Sequence, residues 1–176
     1  FEQEFFNLSK DSFDLHFIEF KKKYPHFFSD VTKNVKNEVF LNDSLRQVLD
    51  SVNHFFHGKL PQKNILESGY CNYKRYFPLE EFKIYTFIDQ SFDYRVPVVY
   101  ADGKLFISLH LFLGSNHSFY NFLPDYISQG NDTTFLPASC FITLAGRHIP
   151  YPQNDNFLGM ILHHSKAYFF AKKMLP

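Results

Sequence analysis

The chain has no tryptophan, two methionines, two cysteines, seven glycines and only five alanines among its 176 residues. Two cysteines cannot build a disulfide framework; they permit one bridge between Cys71 and Cys140 or two free thiols, and their spacing decides neither. The glycines are isolated from one another, so no glycine-rich loop is available to cradle a phosphate. An excess of either charge is missing too, with 18 basic residues set against 18 acidic ones. That balance leaves no basic stripe of the kind that follows a nucleic-acid backbone or an anionic membrane. The short runs Lys21–Lys23 and Lys172–Lys173 stand beside apolar residues at helical spacing and read as solvated helix faces. No apolar run reaches the roughly 18 residues that cross a bilayer. Neither an initiator methionine nor a signal-peptide pattern stands at the start, and the chain stops at Pro176 directly after a helical pattern. A single domain over residues 1–176, trimmed at both ends, is the expected organisation.

What the sequence has instead is phenylalanine, 24 residues of it, with 11 tyrosines. A core rich in aromatic rings follows, with Phe filling the places usually shared by Leu and Ala. Phe1, Phe5 and Phe6 have the spacing of a short helix. Ser9–Ser12 offers an N-cap to a helix that carries Phe13, Phe17 and Phe20 and ends at Tyr24-Pro25. A second helix opens at Asn42-Asp43-Ser44 and closes at Gly58, and a third runs from Pro61 to about Tyr76, before Phe77-Pro78. The period then changes. Lys83–Ile88, Val96–Tyr100 and Lys104–Leu109 are short β-branched and aromatic segments, the last two joined by an Asp102-Gly103 hairpin turn. Pro97 places the middle strand at an edge or marks its beginning. Helical patterns return over Phe119–Gln129, Pro137–Arg147 and Asn156–Met174. Helices around a small antiparallel sheet make an α+β fold.

Nine histidines invite a metal hypothesis. His163 and His164 are adjacent and diverge by roughly 100° on a helix, so they cannot share one ion. Chelation from a single helix uses H-E-x-x-H, in which the glutamate is the general base. Here His164 stands where that glutamate would be and Ala167 where the second histidine would be, with Lys166 just before it. The zinc-hydrolase motif is broken, and the chain reads as non-catalytic and without a cofactor. A ligand set of His110, His117 and His164 from separated segments is the weaker alternative, a metal-dependent hydrolase with unusual histidine ligands. No serine has nucleophile-elbow glycines, and neither cysteine has a nucleophile context. The stretch from Leu109 to Tyr120 is apolar without clean alternation and ends in small polar residues, which suits either a buried strand exit or the wall of a cleft.

Several segments in order carry a resemblance. They are Lys23-Tyr24-Pro25-His26-Phe27-Phe28, Tyr76-Phe77-Pro78, Lys83–Ile88, Tyr100–Leu109, Leu113-Gly114, Leu123-Pro124-Asp125-Tyr126-Ile127 and Met160–Phe169 with Met174-Leu175-Pro176. Together they resemble the GldB family of gliding-motility lipoproteins of Bacteroidota, which is tied to type IX secretion. The resemblance implies an outer-membrane lipoprotein whose soluble domain faces the periplasm and works with other gliding and secretion proteins of the cell envelope. It also implies a zincin-like, degenerate metalloprotease architecture, with the last helix in the place of the metal-binding helix. In two places the chain departs from the family pattern: His110 replaces an Asp before the Leu-Gly segment, and His164 replaces a Glu before Gly-Lys, here Ser165-Lys166. The expected binding cleft is therefore lined by imidazoles, with His110, Phe112 and His117 at the strand exit and His164 and Lys166 on the closing helix.

Overall fold

The computed structural model describes residues 4, 13–25, 43–88, 93–153 and 156–176. Apart from Glu4, the short helix expected over Phe1–Phe6 and the cap at Ser9–Ser12 lie outside them. The chain divides into two compact units, Phe1–Asp50 and Ser51–Pro176.

In the first unit, helix α1 (Phe13–Lys23) buries Phe17 and Phe20 and leaves Leu15 and Ile18 in solvent. Its last turn holds Lys21–Lys23, where cations favour the negative end of the helix dipole. Lys23 Nζ and the Tyr24 hydroxyl both donate to the Glu4 carboxylate, at 2.7 and 3.0 Å. Helix α2 (Asp43–Phe56) buries Val48, Leu49, Val52 and Phe56. The positive φ angles of His57 and Gly58 turn the chain out of it.

The second unit holds the three-helix core that positions the candidate site. Helix α3 (Lys63–Tyr76) buries Leu66, Gly69 and Tyr73, a stripe at spacings of three and four. A sheet follows, of β1 (Lys83–Phe87), β2 (Val98–Ala101) and β3 (Lys104–Ser108). Asp102 and Gly103 both take positive φ, the geometry of a two-residue hairpin turn. The strand order is β1-β3-β2, with β3 antiparallel to β2 and parallel to β1. The sheet is therefore mixed, and the wholly antiparallel sheet expected from the sequence is corrected. The hairpin fixes the sense of β2 against β3, but it does not say which of the two lies beside β1. Burial decides that. Leu105 and Ile107 of β3 are completely enclosed, so β3 takes the centre and β2 returns along the far edge, just after Pro97.

Beyond the sheet the strand exit Leu109–Leu111 winds into a 3₁₀ turn and goes straight into the core. The helix expected over Phe119–Gln129 is broken up into a 3₁₀ turn at Ser118–Tyr120 and a short α4 (Asp125–Ser128). Pro124 between them supplies no N–H to continue a helical ladder. Helix α5 (Leu136–Ala145) buries Leu136, Cys140, Phe141 and Leu144 against its neighbours, and Thr143 Oγ1 donates to the Val98 carbonyl of β2 at 3.3 Å. Cys140 is buried, Cys71 is exposed, and both are free thiols. Helix α6 (Phe157–Met174) starts as expected at Asn156, whose Oδ1 accepts the Gly159 N–H at 2.7 Å. It packs mainly on α5 and also on α3.

All three helices meet at Gly69. A Cβ there would run into the Phe141 ring of α5, and the Met174 carbonyl of α6 lies 3.4 Å away. Asn72 Nδ2 ties the same end of α6 to α3 by donating to that carbonyl at 2.8 Å. Gly69→Ala is expected to destabilise the protein by about 1–3 kcal/mol through overpacking, read as a lower urea midpoint with an unchanged slope.

Candidate functional site

Where α3 ends, Tyr73 is completely buried and its hydroxyl lies 2.5 Å from Glu80 Oε2 and 3.0 Å from His148 Nε2. A carboxylate only accepts, so the hydroxyl donates to Glu80 and accepts from His148, which assigns the proton of the neutral imidazole to Nε2. Arg147 completes the cluster. Its Nη1 lies 3.1 Å from Glu80 Oε2 and also donates to the Tyr100 hydroxyl of β2, with the guanidinium 4.5 Å from the Tyr100 ring centroid. The His148 ring stacks on Phe77 at 3.8 Å and 16°, and lies nearly parallel to Phe170 of α6 at 5.7 Å.

Desolvation, with help from the Glu80 carboxylate, pushes the Tyr73 phenol well above its ordinary value, so it stays protonated. Burial holds His148 below the usual imidazole range, a shift that Glu80 opposes and Arg147 reinforces. These groups spend their donors and acceptors on one another. They clamp the end of α3, the loop after it, the end of α5 and β2.

Phe77 and Phe170 also face outward, into an apolar groove of about 740 Å³ between the end of α3 and α6. Tyr76, Ile149, Leu162, Phe169 and Met174 share its wall with the stems of Lys166 and Lys173. Helix α6 buries one stripe, Ala167, Ala171 and Met174, and leaves Phe157, Leu158, Ile161, Leu162, Tyr168 and Phe169 exposed. A helix that is apolar on both sides ordinarily has both sides covered. Here one side is open.

Of the residues expected to line a cleft, Lys166 stands in the groove wall and His164 on the exposed flank of the same helix. His110 and Phe112 are in the interior. The Tyr120 hydroxyl donates to the His110 carbonyl at 2.6 Å and accepts the Leu113 N–H at 3.0 Å, which pins the strand exit. His117 caps the next turn, its Nδ1 accepting the Phe119 N–H at 3.3 Å, and burial lowers its proton affinity. His163 donates from Nδ1 to the Pro150 carbonyl at 3.3 Å. Among the described residues no three His, Cys, Asp or Glu side chains are grouped so as to hold a metal ion.

The family model described as gliding motility protein GldB, a lipoprotein family, matches residues 1–176. The chain belongs to the GldB family. No curated protein and no solved structure matches it. GldB is a family of motility proteins and not a known enzyme family. Among the described residues of this GldB-family chain, no helix is long and apolar enough to cross a membrane. The clamp around Tyr73 and the open side of α6 are thus features of a motility lipoprotein.

Two outcomes test the clamp. Tyr73→Phe removes the shared hydroxyl and is expected to cost about 1–3 kcal/mol in urea denaturation, toward the lower end because Glu80 is partly hydrated. His148 should make stability fall with acid. Its folded-state affinity for a proton lies below the ordinary value of 6.5, so as pH drops below 6.5 the unfolded chain takes up the proton first and gains on the folded one. The drop in melting temperature from about pH 7.5 to about pH 5.5 should be smaller in His148→Gln than in the parent protein; an equal drop would remove His148 from the cause.

Proposed function

We propose that this GldB-family chain is the periplasm-facing domain of an outer-membrane lipoprotein, and that it supports gliding motility and type IX protein secretion by binding other proteins of that machinery without catalysing a reaction. The open apolar side of α6 carries the proposal. It presents Leu162 and Phe169 beside Lys166 and His164, a combination of exposed rings, aliphatic chains and cations that suits protein recognition. The catalytic alternative has less support, because the clamp holds its polar groups in mutual hydrogen bonds and the helix lacks the glutamate and second histidine of H-E-x-x-H. We also infer a degenerate zincin-like scaffold over one domain. Its support is the order of elements, a small mixed sheet followed by a closing helix with a disrupted metal motif. Within that scaffold, His164 and Lys166 supply the exposed wall of the binding cleft.

The test is a double substitution of exposed side chains, Leu162→Asp with Phe169→Asp, in the full-length protein in its own cells. Colony spreading and secretion are expected to fail while protein abundance stays at the parental level. Normal spreading would sink the reading. Stoichiometric zinc in chelator-free protein, lost in His110→Ala, would favour the hydrolase instead.

A further inference from the structure

The charge on α6 is one-sided. Between Phe157 and Met174 there are three lysines and no Asp or Glu, in a chain whose total charge is balanced. Lys166 and Lys173 both border the groove. They are seven residues apart, two turns of helix, which sets them about 10 Å apart along one wall. Lys173 Nζ lies 5.3 Å from the Phe169 ring centroid, and among the described residues no carboxylate pairs with either lysine. Apart from Ser165, the rest of the groove lining is largely apolar and includes Phe77, Leu162, Phe169, Phe170 and Met174.

We propose that this groove receives an acidic amphipathic helix of a partner protein, with an apolar stripe in the groove and carboxylates seven residues apart on Lys166 and Lys173. The inference rests on the partner-binding reading above and adds the chemistry of the partner. Charge spacing selects the occupant. An anionic lipid has its charge at one end, so a single chain in this groove would satisfy one lysine and lay hydrocarbon along the other. In an extended strand, a 10 Å separation corresponds to about three residues, whose side chains point to opposite faces. A helix repeats the same spacing on one face and carries an apolar stripe beside it. Helix-in-groove recognition uses anchors at that spacing.

The experiment sorts a displayed library of amphipathic helices, with a fixed leucine stripe and randomised polar positions, on the purified full chain. The expected result is enrichment of Asp and Glu at positions seven apart. Sorting on Lys166→Glu with Lys173→Glu should instead enrich Lys and Arg at those positions. Helices selected on the parent should bind that variant about tenfold more weakly or worse, and circular dichroism checks that its fold is unchanged. Failure to enrich binders, enrichment without a charge preference, or the same preference on both proteins would each overturn the proposal. So would binding to phosphatidylglycerol vesicles that matches the best helix, which would assign the groove to a lipid surface. If spreading still fails in Leu162→Asp with Phe169→Asp while the library shows no charge preference, partner binding stands and the acidic helix falls.

Discussion

The second unit depends on where one hydroxyl sends its proton. Tyr73 is enclosed on the last turns of α3, and its phenol reaches Glu80 and His148 from two segments far apart in the chain. Removing the phenol from water favours its neutral form, and a neutral phenol can donate to Glu80 while accepting from His148. Glu80, half-dry, then needs a cation, and Arg147 answers it and extends the contact to Tyr100 on β2. The loop after α3, the end of α5 and the sheet edge are set by one chain of charge-assisted contacts. The His148 ring in turn lies nearly parallel to both Phe77 and Phe170, and these two rings line the groove. The shape offered to a partner is thus a by-product of a polar cluster beneath it.

The long-range geometry of that cluster leaves no local mark in the sequence. Helices ending at Tyr76 and beginning at Asn156, and the turn at Asp102-Gly103, were legible because each is signalled by neighbours within a few residues. Tyr73, Glu80 and His148 carry no such signal, since no spacing rule links the end of one helix to the residues after another. The helix expected over Phe119–Gln129 fails for a local reason: Pro124 in its middle supplies no N–H to the helical ladder. The antiparallel expectation for the sheet fails for a non-local one: strand alternation reports which face is buried and not which strand is central.

Of the candidate site, the closing helix was legible as the place to look. Its adjacent histidines and Lys166 stood out at the level of residue types. His110 stood out equally, yet it lies in the interior, where its backbone carbonyl helps to pin the strand exit. An apolar stretch leaving a strand reads the same whether it lines a cleft or fills a core. The exposure of Leu162 and Phe169 was invisible for the converse reason. Apolar residues on both sides of a helix predict burial on both, and only the fold reveals which side has been left open.

The position of β3 between its neighbours has a kinetic consequence. β1 is made before β2 and β3, but among the described residues its only hydrogen-bonded neighbour in the sheet is the last of the three. The β2–β3 hairpin closes a two-residue loop and is the fast step, whereas the parallel pairing must wait for a crossover past the far edge. A chain emerging from its N-terminus therefore carries Lys83–Phe87 as an unpaired edge until Ser108 has appeared. The lysine that opens this strand is a charge of the kind that discourages edge-to-edge association, placed on the segment that waits longest.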